Sequence, residues 1–591
     1  MNDDSKEYEK EKIKISRFKI QFRKYWKYTR KWFPFSLLMG MISGVLMGLF
    51  TSLIVNLQIW LDIIPVYIRY PVVGGITSLI LYFGFKEVRG AGISYVLKHK
   101  NTTTAIPARV ILTKFFTSAL TLGVAAPAGR EGPSVTIGSA VAFTLADKLK
   151  MNKDDEMHAV TIGAAACTSA VFRTPLGGTV FAAEVPYKHD LDETVFLPAL
   201  VASAVALLVS EGILLLLNSF PVYLDVESVS APFQFVDALV YVLLGIIAGF
   251  SGIMFSLLFK NFSNWIAKMI KPFLMPFIGM VLTTILVLIF ENFLPEGMTL
   301  GGTGFHSINF LLENYQDITI GVLFLLFAGK MVVTSTCVGF GASGGVMGPS
   351  LVTGAALGAL YSKLFPFLNP IALIIIGMSA FHTATTKTPI ASMLIVLEMV
   401  GFPDLVIPII LSNAAAFIIS MDFSLYSGQI ESKEVILRRK IQYTDLLETL
   451  TVKDTKKIDY PTVNQNALLE ESFPLLHQYK LSSLIVEDDN KDLVGIISMK
   501  DFQNGLSKNK TYIYEMMTKN VITVTEDDNL STVFDKLTSN NIECIPVVNR
   551  DKPRTVVGLI TYRDIEDHYE KALTKLHSTR DLTIEELEDD I

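Results

Sequence analysis

The chain has 591 residues, half of them hydrophobic, and a mean hydropathy of +0.43. It is too apolar for an ordinary soluble protein and long enough for several domains. A net charge of only −6 gives no electrostatic indication of a nucleic-acid partner, and three widely separated cysteines indicate neither a disulfide framework nor a zinc site.

The first predicted segment, residues 1–32, is a basic N-terminal arm that ends in FRKYWKYTRKW. Basic residues next to a first membrane helix favour a cytoplasmic N-terminus. The aromatic residues near the end of the arm, Trp32 among them, are typical of the lipid–water interface.

Residues 33–428 form the predicted membrane domain, in which apolar stretches alternate with Gly- and Pro-containing breaks. Several stretches are shorter than the ~20 residues that a helix needs to cross the hydrocarbon core. Short, interrupted helices at corresponding places in two halves are typical of a transporter with its site near the membrane midplane. The predicted spans are 35–60, 68–85, 108–126, 134–148, 158–185, 194–218, 235–258, 267–292, 318–338, 347–364, 370–400 and 404–421.

The remaining residues are predicted to be cytosolic. A linker, 429–453, contains the basic sequence LRRK, which favours the cytoplasmic side. Two α/β units follow, 454–508 and 509–574, and an acidic tail covers 575–591. The predicted strands lie in SSLIVED and VGIISMKD in the first unit, and in ECIPVVN and VGLITYRD in the second.

An internal repeat divides the membrane domain. GREGPSVTIGSA, starting at Gly129, returns as GVMGPSLVTGAA, starting at Gly345, and KFFTSALTLG (114–123) returns as KMVVTSTCVG (330–339). Further on, RTPLGGTVFAAEV (173–185) matches KTPIASMLIVLEM (387–399) at nearly the same offset. A duplicated membrane unit is often inserted in opposite orientations. We therefore expect two halves, about 35–220 and 235–427, that face each other across one site.

Each GPS turn predicts a helix start, because Pro133 and Pro349 follow glycine and proline is favoured at the first helical position. The first helical turn has N–H groups without intrahelical partners, and the helix dipole adds roughly half a positive charge there. Glycine lets an ion approach the backbone. The pair of turns therefore predicts a site that binds an anion without a full positive charge, which permits rapid release.

Glu131 stands out in the first turn, because a carboxylate inside a membrane is costly and usually functional. Its charge would occupy the place of an anion, and it would leave on protonation or by displacement, as a gate and a proton carrier. The alternative is that Glu131 caps its own helix or pairs with Arg130. Lys114 and Arg130 are expected to raise the local potential and attract anions.

These motifs resemble the chloride channel/transporter (CLC) family. GREGP matches the second family signature, while GVMGP at Gly345 and GAGIS at Gly90 match the third and first with changes. The resemblance implies a homodimer in the cell membrane, no enzymatic activity, and Glu131 as the gate. It places the central anion near the Tyr426 hydroxyl and the Val346 and Met347 amides. The expected anion-binding residues are Gly90, Ala91, Gly92, Gly129, Arg130, Gly132, Gly345, Val346, Met347 and Tyr426.

The chain departs from the family pattern in two places. Ala91 replaces a serine whose hydroxyl contacts the central ion, which leaves the preferred anion open. Val185 aligns with the intracellular proton-transfer glutamate of many exchangers, which leaves a channel and a proton antiporter as alternatives. The neighbouring Glu184 is expected to be structural, because Glu398 occupies the equivalent place in the second repeat.

The soluble units resemble a CBS-domain pair. In that family the Ser or Thr contacts phosphate and the Asp contacts a ribose, which here implies Ser498, Asp501, Thr561 and Asp564. An adenine nucleotide is the expected regulatory ligand, and a ligand-free dimerisation module is the alternative.

Two other functions stay open on sequence. A CBS-regulated magnesium transporter would need carboxylates or carbonyls in the membrane, which Glu131, Glu184 and Glu398 could supply. An intramembrane serine protease would use Ser343, in a G-x-S-G string, with His382.

Overall fold

The computed structural model describes residues 3–102, 104–224, 226, 235–267, 270–401, 403–432, 447–455, 460–479, 481–507, 510–540, 542–569 and 571–572. They fall into two compact units, residues 1–433 and 434–591. The acidic tail and LRRK lie outside the described residues, as does most of the predicted linker.

The first unit is built from helices within its described residues. They are α1 (Asp3–Leu61), α2 (Val66–Tyr82), α3 (Ile93–Thr102), α4 (Arg109–Gly123), α5 (Glu131–Lys148), α6 (Lys153–Phe172), α7 (Pro175–Glu184), α8 (Phe196–Leu216), α9 (Ala238–Ala267), α10 (Met275–Glu291), α11 (Phe305–Asn314), α12 (Ile320–Cys337), α13 (Met347–Leu364), α14 (Pro370–Thr386), α15 (Pro389–Val400) and α16 (Val406–Ile419). In the described part of the chain, five helical segments are long and apolar enough to cross a membrane: 28–61, 193–216, 235–262, 272–291 and 320–337.

Several predicted spans need correction. The spans 158–185 and 370–400 are each two helices, because Arg173 and Lys387 adopt left-handed backbone conformations and a proline opens the next helix. The short helices α3 and α11 fall outside every predicted span. Trp32 is 5% exposed and packs edge-on against Phe35, and its position at the lipid–water interface stays a prediction.

The sequence repeat is also a repeat of local structure. Helices α5 and α6 cross at Gly138 and Gly163, where a side chain on either residue would overlap the other's carbonyl. Helices α13 and α14 cross in the same way at Gly354 and Gly377. Small residues permit this close backbone approach between membrane helices. Both repeats therefore pack two helices together through glycines at corresponding positions.

The second unit contains two sheets with the same strand order. The first is β1 (Thr462–Asn464), β2 (Ser483–Glu487) and β3 (Leu493–Ser498), and the second is β4 (Val524–Thr525), β5 (Cys544–Val548) and β6 (Val556–Thr561). In each sheet the first pair is parallel and the second antiparallel. Helices α17 (Leu469–Tyr479), α18 (Met499–Ser507) and α19 (Leu530–Asn540) accompany them, and residues 562–569 form a further helix, α20. The four strands predicted from the sequence are present, whereas β1 and β4 were not predicted.

Candidate functional site

The two glycine-rich turns meet in the middle of the first unit. The Gly129 amide donates to the Gly345 carbonyl at 2.8 Å, and the Gly345 amide donates to the Gly129 carbonyl at 2.7 Å. This antiparallel pair is locally two-fold symmetric. The starts of α5 and α13 are therefore brought together from oppositely running copies of one motif, as the inverted repeat requires.

Both helices begin two residues before the predicted positions. Glu131 and Met347 are the first helical residues, and the prolines of the GPS turns are the third. Proline is still tolerated there, because the first four N–H groups of a helix have no intrahelical acceptor. The consequence is that Glu131 itself stands in the first turn of α5.

The Glu131 carboxylate lies against the opposing turn. Its side chain is fully buried, and its Oε1 accepts a hydrogen bond from the Met347 amide at the start of α13. The Val346 amide also interacts with the carboxylate. A methyl group on Gly345 would overlap the carboxylate, so glycine is required for this approach. Within the described residues, Oε2 has no hydrogen-bond partner.

The loop Gly90-Ala91-Gly92 packs on the first turn of α5. Gly90 and Gly92 have φ angles of 64° and 84°, which favour glycine. A side chain on Gly132 would overlap the Ala91 carbonyl. The Gly90 amide donates to Gly341 at 3.2 Å, which ties the loop to the residues that precede the second turn.

Lys114 holds this loop in place. Its fully buried ammonium group donates to the carbonyls of Gly90 at 2.6 Å and Val88 at 3.2 Å. Lys330, its repeat equivalent, donates to three carbonyls, those of residues 300–302. Both lysines therefore satisfy backbone acceptors. The electrostatic attraction of anions by Lys114 stays a prediction.

Arg130 lies between the rings of Phe172 and Phe305, each 5.9 Å from its guanidinium carbon. It is 5% exposed, and its Nε has no hydrogen-bond partner within the described chain. It also lines a cavity of about 640 Å³ together with Arg69 and Glu291. Because Arg130 directly precedes Glu131, this cavity reaches the residue next to the buried carboxylate.

The Tyr426 segment approaches the site from the end of the first unit. Tyr426 is 3% exposed and lies within electrostatic range of Glu131. Its hydroxyl has no hydrogen-bond partner among the described residues. The preceding Leu425 amide donates to the Thr385 carbonyl at 2.8 Å, which fixes the segment on α14. Sequence reasoning missed Thr385, because a contact made by a main-chain carbonyl has no residue signature.

Glu184 and Glu398 form a reciprocal pair of helix caps. Glu184, on α7, caps the start of α15, and Glu398, on α15, caps the start of α7. The Glu398 carboxylate accepts from the Leu176 and Gly177 amides of α7 at 3.0 and 2.7 Å. The Glu184 carboxylate accepts from the corresponding amides of α15 at 3.2 and 2.8 Å. Negative charge at a helix N-terminus is stabilising. This reciprocal arrangement explains why both repeats carry the glutamate. The neighbouring Val185 is buried, and its carbonyl accepts from Gln429.

The two alternative chemistries gain no support from these contacts. Ser343 Oγ lies 2.8 Å from Ser118 Oγ and also accepts from Thr117. Neither ring nitrogen of His382 has a hydrogen-bond partner in the described chain, so the two residues of the protease hypothesis are not bonded to each other. The carboxylates of the three membrane glutamates in the magnesium hypothesis all accept from amides at helix N-termini, which disfavour a cation.

The predicted nucleotide residues lie at equivalent places in the second unit. The Ser498 amide and hydroxyl both donate to Asp501 Oδ2, at 3.0 and 2.6 Å. The Thr561 amide and hydroxyl donate to Asp564 Oδ2 at 2.9 and 2.6 Å. Each Ser or Thr ends a strand just before a helix N-terminus, a position that suits a phosphate. The same bonds also close the strand–helix turn without any ligand.

Comparisons with known proteins agree with this architecture. The family model described as voltage gated chloride channel matches residues 78–421, and the CBS domain model matches 452–508 and 513–571. The chain is 29% identical over 355 residues to the H(+)/Cl(−) exchange transporter ClcA of Vibrio cholerae serotype O1 (strain M66-2), covering 57% of this chain and 72% of that protein. Its counterpart in Vibrio parahaemolyticus serotype O3:K6 is 28% identical over 447 residues, covering 70% and 93%.

Solved structures show the same fold. A CLC-type fluoride/proton antiporter superposes with a TM-score of 0.59 at 24% identity, over 68% of this chain and 97% of that one. A eukaryotic CLC transporter gives a TM-score of 0.57 at 18% identity, over 91% of this chain and 98% of that one. The chain therefore belongs to the voltage gated chloride channel family, and it carries a pair of CBS domains after the membrane unit.

Proposed function

We propose that this chain moves chloride or a similar small anion across a membrane in exchange for protons, with Glu131 as the gate and proton carrier. The observation that carries the proposal is the position of the Glu131 carboxylate. An anionic group of the protein itself occupies the start of α13, where an anion would bind. The relatives named H(+)/Cl(−) exchange transporters support proton coupling over a passive channel.

The exchange follows from the charge of one carboxyl group. While Glu131 is ionised, the Met347 amide holds it and the anion position is filled. Protonation removes the charge that the helix N-terminus attracts, so the side chain leaves and an anion takes its place. The Tyr426 hydroxyl, without a partner in the described chain, is then available to donate to the anion. Each departure of the gate thus takes up one proton and admits one anion.

Release of the anion is fast because partial charges hold it. Lys114 and Lys330, buried near the two turns, donate to backbone carbonyls. Main-chain amides and a hydroxyl bind an anion without the strong attraction of a full positive charge. A conducting or exchanging pathway needs this balance between entry and exit.

Flux from liposomes tests the proposal. Purified protein is reconstituted with internal chloride, and efflux is started with valinomycin while external pH is recorded. We expect chloride efflux with simultaneous proton uptake in the wild type. Glu131→Gln should retain anion efflux and lose proton uptake. The proposal fails if Glu131→Gln leaves both fluxes and their pH dependence unchanged.

The preferred anion depends on the loop at Ala91. A serine hydroxyl there would add a donor to the site, so Ala91→Ser should shift selectivity among chloride, bromide and nitrate. Unchanged reversal potentials in the three anions would assign selectivity to other residues.

The assembly we propose is a homodimer in the cell membrane, with both termini in the cytoplasm. The basic residues before the first membrane span support this orientation. Mass photometry in detergent tests the dimer, and protease access to tags at each terminus tests the orientation. A monomer, or termini on opposite sides, would contradict it.

We also propose that an adenine nucleotide binds the CBS pair at Thr561 and Asp564 and regulates transport. The chemistry of the residues fits, because a hydroxyl and a helix N-terminus suit phosphate and a carboxylate suits ribose hydroxyls. Calorimetry with ATP, ADP and AMP tests this. Heat that Asp564→Ala abolishes supports it, whereas no heat with any of the three contradicts it.

A further inference from the structure

His382 is a buried, titratable residue that the gate mechanism does not use. It lies on α14, its side chain is fully buried, and both ring nitrogens lack a hydrogen-bond partner within the described residues. A buried histidine normally satisfies at least one nitrogen, because each unsatisfied polar group costs about 1–3 kcal/mol. Both nitrogens are therefore open to a hydrogen-bond partner that the described protein atoms do not supply.

His382 lies on the helix that holds the Tyr426 segment. Thr385, one turn further along α14, accepts the Leu425 amide that positions Tyr426. On its other side the His382 ring stacks on Phe181 of α7, with centroids 6.4 Å apart and an interplanar angle of 25°. Helix α7 ends just before Val185, whose carbonyl is bound by Gln429. His382 thus stands between the Tyr426 segment and a helix that runs toward the face where the first unit ends.

None of the titratable groups on the surrounding helices forms a hydrogen bond with His382 within the described residues. Glu184 on α7 and Glu398 on α15 are bound to helix N-termini, and Lys330 on α12 to backbone carbonyls. Helix α16 carries no titratable side chain. The remaining titratable groups with described side chains on these helices are Tyr241 and Lys260 on α9, Cys337 on α12, Tyr361 and Lys363 on α13, and Lys387 just after α14.

We infer that His382 relays protons between Glu131 and the membrane face at which residues 424–432 leave the first unit. The inference rests on the proposed exchange function. An imidazole relays a proton when one nitrogen takes a proton from a hydrated proton, whose O–H bond breaks, while the N–H bond at the other nitrogen breaks and its proton passes to a second water molecule. Both nitrogens must be free of fixed partners for this transfer. Rotation of the ring about the Cβ–Cγ bond restores the starting tautomer without returning the proton.

The relay explains how protons pass α7 when Val185 cannot carry them. Valine has no titratable group, and the Glu184 carboxylate already accepts two hydrogen bonds from main-chain amides of α15. Ionisable residues buried in membrane helices commonly serve as proton relays. His382 supplies one such group on the helix that holds the Tyr426 segment.

Coupled flux in liposomes tests the relay with two substitutions at one position. His382→Leu removes both nitrogens, and His382→Gln keeps polarity but cannot carry a proton. Thr168→Val is the matched control, since Thr168 occupies the equivalent position on α6, is fully buried and has a hydroxyl without a partner in the described chain. We expect both His382 variants to lower the protons moved per anion at least about tenfold, with anion efflux within about twofold of wild type.

The outcomes separate the two proposals. A wild type that moves anions without protons contradicts the exchange function itself. A coupled wild type with unchanged proton:anion ratios in both His382 variants overturns the relay and leaves the exchange function intact. The relay is also overturned if His382→Gln keeps full coupling, or if Thr168→Val loses it equally.

Discussion

Replacing Gly345 with alanine should dislodge the gate without removing its charge. The added methyl group would lie well within 3.0 Å of the Glu131 carboxylate, closer than real side-chain contacts allow. The φ angle of Gly345 is not positive, so alanine brings no backbone strain there. The carboxylate must leave the Met347 amide, and the hydrogen bond that is lost is worth about 1.5–3 kcal/mol because the acceptor is charged.

That energy sets the expected size of the effect. Every 1.4 kcal/mol changes a population tenfold, so the docked state of the Glu131 gate should fall by about 10- to 100-fold relative to the undocked state. Chloride efflux at neutral pH should rise, and its dependence on pH should flatten. Stopped-flow efflux from liposomes between pH 5 and pH 8 measures both. Gly75→Ala, where the methyl group meets Phe277 at an ordinary 3.8 Å, is the control.

A double variant decides whether the methyl group itself blocks the anion. Gly345→Ala added to Glu131→Ala should transport as fast as Glu131→Ala alone, because the three atoms nearest to the added methyl group all belong to the removed carboxylate. A slower double variant would mean that alanine obstructs the pathway. A Gly345→Ala protein with the wild-type pH profile would refute the reasoning that Glu131 docks at this glycine.

Three further predictions concern the support of the site and the cytosolic unit. Glu184→Gln and Glu398→Gln should each destabilise the protein by about 1–3 kcal/mol, because a charged acceptor at a helix N-terminus is lost. Thermal unfolding in detergent measures this loss of stability. The pH dependence of efflux should stay unchanged in both variants, which liposome flux measures. Lys330→Met leaves three buried carbonyls without their donor and should sharply reduce the fraction of monodisperse protein in size-exclusion chromatography. Backbone hydrogen bonds from Tyr512 and Thr511, with Lys510 adding to them, lower the pKa of Glu515 to about 2 from its ordinary 4.5. The stability that Glu515 contributes is therefore complete above about pH 4.5 and lost as the pH falls through about 2. Hydrogen exchange of the Thr511 amide should be faster in Glu515→Gln than in the wild type at pH 7, and this difference should narrow as the pH falls to 2.

Much of the fold could be predicted because the repeated motifs contain glycine and proline, which have strong backbone preferences. The glycines and prolines near Gly129 and Gly345 mark the same turn twice, and the turns do pair. The breaks at Arg173 and Lys387 were missed because a left-handed backbone at a basic residue has no sequence signal comparable to glycine. The helices before and after each break are mostly apolar over their length, so hydropathy alone joined the two helices.

The site could be predicted only where function depends on a side chain. Glu131 was identifiable because a membrane carboxylate is costly. The contacts of Lys114 could not be predicted, because the sequence is equally consistent with a buried cation that attracts an anion and with one that binds carbonyls. Only the positions of the carbonyls show that Lys114 donates to them. The partnerless nitrogens of His382, as seen in the described residues, are likewise a property of packing that the sequence does not display.

Anomalous diffraction from Glu131→Gln crystals grown in bromide tests the central claim most directly. With the carboxylate neutralised, the account predicts a bromide peak within hydrogen-bond distance of the Met347 amide and near the Tyr426 hydroxyl, in the place that Glu131 occupies in the wild type. A bromide bound instead at the Arg130 guanidinium, with the start of α13 free of anomalous density, would contradict it.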